Sequence, residues 1–194
     1  PASSFYVYQQ VYDKNGVPLE GVYVDRNGDG KINNSDKYFY KSPMAPWTGG
    51  FTSKLQYKQW DFGFSLRASL DNYVYNDLEA GSANVSTVFS KGFLSNRPVY
   101  SLQPRWTTED NAFSDRFVQN GSFLRMENIT LGYSFENLFK GARYQGVNGR
   151  LYVSASNVFT LTKYKGIDPD VFGGIDKNVY PRPFTILAGV SLNF

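Results

Sequence analysis

"DFGFSLRASLD", residues 61–71, places Phe62, Phe64, Leu66, Ala68 and Leu70 at every second position, with Asp61, Gly63, Ser65, Arg67 and Ser69 between them. Successive side chains of a strand point to opposite faces, so this stretch predicts a strand with one apolar and one polar face. The preceding "GFTSKLQYK" sets Phe51, Ser53, Leu55 and Tyr57 against Thr52, Lys54, Gln56 and Lys58. Only Gln59 and Trp60 separate the two runs, which predicts a hairpin with a tight turn.

Three further segments share the period. "GRLYVSASNVF" alternates Leu151, Val153, Ala155 and Phe159 with Arg150, Tyr152, Ser154 and Ser156. "PFTILAGVSLNF" puts Phe184, Ile186, Ala188, Val190, Leu192 and Phe194 on one face. In "FLRMENITLGYSF" the set Ile129, Leu131, Tyr133 and Phe135 alternates cleanly, but Arg125 and Glu127 fall in the apolar parity. That front half is expected to project beyond a membrane. Strands of about 9 to 13 residues suit a tilted crossing of the hydrocarbon layer.

Composition narrows the function classes. No apolar run approaches a spanning helix, yet Phe, Tyr and Trp make up 18% of 194 residues with a mean hydropathy of −0.41. Spanning barrels show this combination, because their strands average lipid-facing with lumen-facing residues and carry aromatic girdles. The absence of His and Cys removes Ser-His-Asp, Cys-His and His-zinc chemistry from these residues. Acidic pairs at Glu109 and Asp110 and at Asp168 and Asp170 read as turn chemistry, since Asp beside Pro or Asn initiates turns. The charge of +3 is scattered without a basic run, so no nucleic-acid partner is expected.

Connections are unequal: short near 59–60 and over "ENLFKGARYQGV", long over 72–121 and 160–182. The chain divides on this reading into a long extracellular loop, 1–48, and barrel strands with long extracellular loops, 49–194. The first loop contains "DRNGDGKINNSD", with Asp25, Asn27, Asp29 and Asp36 at positions one, three, five and twelve of a calcium-loop spacing and Gly30 at the sixth. Calcium would be held by those side chains and the carbonyl of Lys31, as a structural clamp. Flanking Gly and Pro argue against the helices of an EF-hand. Trp47, Tyr100 and Trp106 are candidates for contact with a ligand or a covering partner. Val190, Leu192 and the terminal Phe194 have the form of a barrel-insertion signal.

The chain resembles the C-terminal part of SusC/RagA-like TonB-dependent transporters of the Bacteroidetes outer membrane. The resemblance rests on "GVYVDRNGDGKINNSDKYF", "APWTGGFTSKLQYKQWDFGFSLRAS", "NGSFLRMENITLGYSF", "GRLYVSASNVFTLTKYKGIDPDV" and "YPRPFTILAGVSLNF", in that order. It implies an all-β fold: about five antiparallel C-terminal strands of a transmembrane β-barrel of about 22 strands. It also implies import of glycans or oligopeptides without catalysis. The implied partners are the plug and upstream strands of the same transporter, a SusD-like surface lipoprotein, the TonB complex and outer-membrane lipid. The alternatives are a soluble dockerin-like calcium module and a small self-contained porin.

Overall fold

The structure, a computed structural model, describes residues 3–82, 92, 113–138, 146–177 and 180–193. In chain order the strands are β1 (Phe5–Val7), β2 (Gln10–Tyr12), β3 (Pro18–Tyr23), β4 (Tyr38–Tyr40), β5 (Trp47–Tyr57) and β6 (Trp60–Leu70). They continue with β7 (Tyr73–Tyr75), β8 (Val118–Asn120), β9 (Phe123–Leu138), β10 (Val147–Thr162) and β11 (Thr185–Asn193). The five long strands make one antiparallel sheet, in the order β11-β10-β9-β6-β5.

Two compact units result. One is the sheet, 47–70, 123–162 and 181–194; the other gathers the long excursions, 1–46, 71–122 and 163–180. Within the sheet, the register converts the period of two into continuous cross-strand rows. Leu55, Phe62, Leu131, Val153 and Ala188 align on one face, and so do Tyr57, Trp60, Tyr133, Leu151 and Val190. Thr52, Ser65, Asn128, Ser156 and Thr185 align on the other. One face is a wall of aliphatic and aromatic side chains, with Phe51, Leu55, Val153 and Ile186 exposed. Water does not tolerate so large an unbroken apolar surface; lipid does.

Two sequence expectations are corrected. The tight turn is Lys58–Gln59, with Lys58 at φ 53°, and Trp60 is already in the ladder opposite Tyr57. In the front half of β9 the parity differs from the one read, while the strand stays paired as far as Phe123. Between Ser65↔Asn128 and Leu66↔Met126 the register skips Glu127, and opposite β10 it steps from Ser156↔Asn128 to Phe159↔Met126, passing Asn157, at φ 53°, and Val158. A bulge inserts one residue and reverses the parity beyond it. Leu124 and Met126 thereby rejoin the apolar face beside Ala68 and Leu66, while Arg125 lies opposite Arg67 on the polar face.

The excursion unit is built differently. Its short strands pair across long sequence gaps, β1 with β4 and β7 with β8, while β2 and β3 form a local pair. Its core is Phe5, Val7, Tyr75, Ala80, Phe117 and Val118. Every buried apolar residue described for the chain, Phe123 excepted, belongs to this unit. Asp176 ties segment 163–177 to β7. Its N–H donates to the Tyr75 carbonyl at 2.9 Å, and its carboxylate accepts from the Tyr164 hydroxyl and the Ile167 N–H, both at 2.8 Å. Gly174, at φ 74°, lies so close to Pro43 and Phe5 that no side chain fits there.

Candidate functional site

The polar face of the sheet carries two ion pairs. Asp61 accepts from Arg150 Nε at 2.8 Å, and Glu127 accepts from Arg67 Nε at 2.9 Å. Arg125 donates to the Thr160 hydroxyl at 2.9 Å and lies over the Phe123 ring. The Asp61–Arg150 pair passes directly over Gly132, where a Cβ would collide with both side chains. That glycine in the middle of a strand is the sequence signal for the crossing, since an isolated strand glycine marks a close approach. Both ion pairs are about a third exposed and contribute little stability, so their role is to line a polar wall rather than to hold the sheet together. Hydroxyls, amides and paired ions can bind and guide a polar solute; they include no nucleophile with an adjacent base.

Trp47 begins β5 opposite Leu70 on the apolar face and is 73% exposed. Trp60 and Tyr133 pack together at the other end of the sheet, their rings tilted by 56° with centroids 4.9 Å apart. Ten residues separate Trp47 from Tyr57, about 34 Å along a strand and about 26 Å across a membrane at a tilt near 40°. The two aromatic ends thus sit at the spacing of interfacial girdles. Tyr100, Trp106, Glu109 and Asp110 lie outside the described residues, as does Phe194. Val190 and Leu192 are on the apolar face and half exposed. Asp170 donates its N–H to Asp168 at 2.9 Å, the arrangement of a turn.

The calcium-spaced loop closes on its own amides. Asp25 accepts from the N–H groups of Gly28 at 2.7 Å and Gly30 at 2.8 Å, and Asp29 from Lys31 at 2.8 Å. Asn27 accepts from Asp29 at 3.0 Å. Asp36 is fully buried and accepts from Arg26 at 2.9 Å and Asn33 at 2.8 Å. Asn33 and Asp36 form a reciprocal cap on the 3-10 turn Asn34–Asp36. The sequence pattern Asn33-x-x-Asp36 carried that signal, and the metal spacing overshadowed it. The Asn33 amide, and then those of Arg26 and Asn27, hold the Asp36 carboxyl below the usual carboxylate range against the opposing effect of burial. Among the described residues no three acidic side chains gather closely enough to grip a cation.

No family model matches the chain. It is 54% identical over its whole length to the TonB-dependent receptor SusC of Bacteroides thetaiotaomicron, of which it covers 19%. It is 29% identical over 97% of its length to the TonB-dependent receptor P3 of Formosa agariphila, of which it covers 22%. Among solved structures it is similar to a chain of the RagAB peptide importer in the closed-closed state, at a TM-score of 0.70 and 25% identity. That match covers 98% of this chain and 23% of the other. The amphipathic sheet and these likenesses define a segment of an outer-membrane β-barrel, spanning about a fifth of the curated relatives it matches. The chain is a SusC/RagA-like segment of a TonB-dependent receptor. Its relatives are receptors and transporters, not enzymes.

Proposed function

We propose that the chain forms part of the wall and extracellular rim of a TonB-dependent importer that takes up glycans or oligopeptides with a SusD-like lipoprotein as its lid. The observation that carries this reading is the 54% identity to SusC in an alignment that spans the whole chain. The similarity to the RagAB peptide importer supports the same class of transport. Two other readings lose their basis. The calcium-spaced loop is flanked by the strands β3 and β4, where a dockerin-like module needs helices. A five-stranded sheet is too few strands to close as a porin.

Uptake is the test. Cells that depend on the full transporter should lose growth on its oligomeric nutrient when either the transporter or TonB is removed, and retain growth on the monomer. Growth on the oligomer that persists without TonB would overturn the energised-import reading.

Calcium is a separate proposal for residues 25–36. An amide N–H occupies one lone pair of a carboxylate oxygen and leaves another, so a cation can add to the turn that Asp25, Asn27 and Asp29 already form. Its uptake should be weak, because Asp36 is committed to backbone amides. The expected result is that millimolar calcium slows proteolysis within 25–36 in the full transporter and a chelator reverses the effect; identical cleavage in both conditions refutes the site. Acid should loosen the same loop. A depressed folded-state pKa contributes stability that is present above the unfolded value and lost as pH falls through the folded one, so loosening belongs below about pH 4.

A further inference from the structure

An apolar groove of about 670 Å³ crosses the lipid-facing side of the sheet near its short-turn end, lined by Trp60, Leu131, Tyr133, Val153, Ala188 and Val190. Trp60 and Tyr133 form its wall, and Ala188 is the smallest of these side chains, standing in the row of Leu55, Phe62, Leu131 and Val153. A single short side chain in a row of long ones makes a depression in an otherwise level surface. Such a depression in hydrocarbon must be filled, because an empty one forfeits dispersion contacts on its whole lining.

We propose that this groove is a binding site for one phospholipid of the periplasmic leaflet, with an acyl chain in the groove and the phosphate at Lys58. Three features select this occupant. The lining is apolar, so the occupant is hydrocarbon. The groove ends at the tilted ring pair Trp60 and Tyr133, and Trp and Tyr rings are enriched at headgroup depth, so the hydrocarbon reaches an interface there. Lys58 forms the turn between Tyr57 and Trp60 and supplies a cation at that level, its ammonium 5.4 Å from the Tyr57 ring centre. Short turns of outer-membrane barrels face the periplasm, and that fixes the leaflet.

The test uses the full transporter containing this chain, reconstituted with phosphatidylethanolamine, extracted in mild detergent and measured by native mass spectrometry. One lipid per transporter should survive extraction. Ala188→Phe fills the groove and should lower the retained lipid about tenfold, a factor that corresponds to the loss of one well-filled subsite. Ile186→Phe adds a ring to the same apolar face outside the lining and should leave retention unchanged. Equal retention in the two variants, or an equal loss, overturns the proposal. If Ala188→Phe fails to assemble, Lys58→Glu decides: lower retention of phosphatidylethanolamine supports the site, and unchanged retention refutes it. A second copy of the transporter covering the groove in place of lipid, seen as a dimer that Ala188→Phe dissociates, also overturns it.

Discussion

Produced without the rest of a barrel, these 194 residues should give no monodisperse folded species of 22.0 kDa in detergent or lipid. The cause lies at the two margins of the sheet. Among the described residues, β5 pairs with β6 alone and β11 with β10 alone. These edge strands are 11 and 9 residues long, and every second residue turns its N–H and C=O away from the sheet. Each such group left unpaired in hydrocarbon costs roughly several kcal/mol, so two open edges outweigh the stability of an ordinary domain. Pairing with further strands removes the whole cost. Co-expression with the remaining strands of the transporter should therefore recover the chain in a heat-modifiable complex on a gel. A folded 22.0 kDa monomer with both edges exposed to lipid would contradict the barrel reading at its root.

How far the sequence revealed this arrangement depended on the range of the interactions. The alternation in "DFGFSLRASLD" is a local property, and it translated directly into β6 and its neighbours because each strand face meets a uniform environment. Lipid on one side and polar surroundings on the other let residue type report orientation. At Glu127 the local rule failed. One extra residue in β9 reversed the parity, and Arg125 in the apolar frame looked like a strand leaving the membrane. The bulge was detectable in principle, because Leu124 and Met126 resume the alternation in the opposite frame.

The excursions were illegible for a different reason. β1 and β4 are three residues each and pair across more than thirty positions, as Phe5 with Tyr40, while Tyr73 meets Asn120 across a longer gap still. Three residues carry no measurable period, and composition rich in Asn, Asp, Gly and Pro reads as loop whether or not a core lies beneath it. The Asp61–Arg150 pair was hidden similarly: each residue was visible on the polar face, but their meeting over Gly132 depends on the register of three strands.

The separation of that core from the sheet leads to the second large effect. Phe117→Ala should destabilise the excursion unit by about 3 to 5 kcal/mol, the usual cost of emptying a fully buried phenylalanine position. Phe117 has no exposed surface and is the last residue of the 3-10 turn Asp115–Phe117. Its ring meets Tyr75 edge-on at 6.0 Å, and Tyr75 in turn packs against Phe113 at 4.0 Å with the rings tilted. The Phe117 carbonyl also accepts the Asn76 N–H at 2.8 Å, so a shift of this residue disturbs the start of the short helix α1 (Asp77–Ser82). Among the described residues the buried cluster has six members, and such a small cluster has little means of collapsing into the space. The sheet ladder includes none of these six residues and should keep its own stability. In the full transporter, limited proteolysis should therefore cut the variant's excursion segments far faster than the parent's while heat-modifiability of the barrel stays the same. If the excursions resist protease as before, they owe their order to something other than this core. If the barrel itself is lost, the two units do not have separable stabilities.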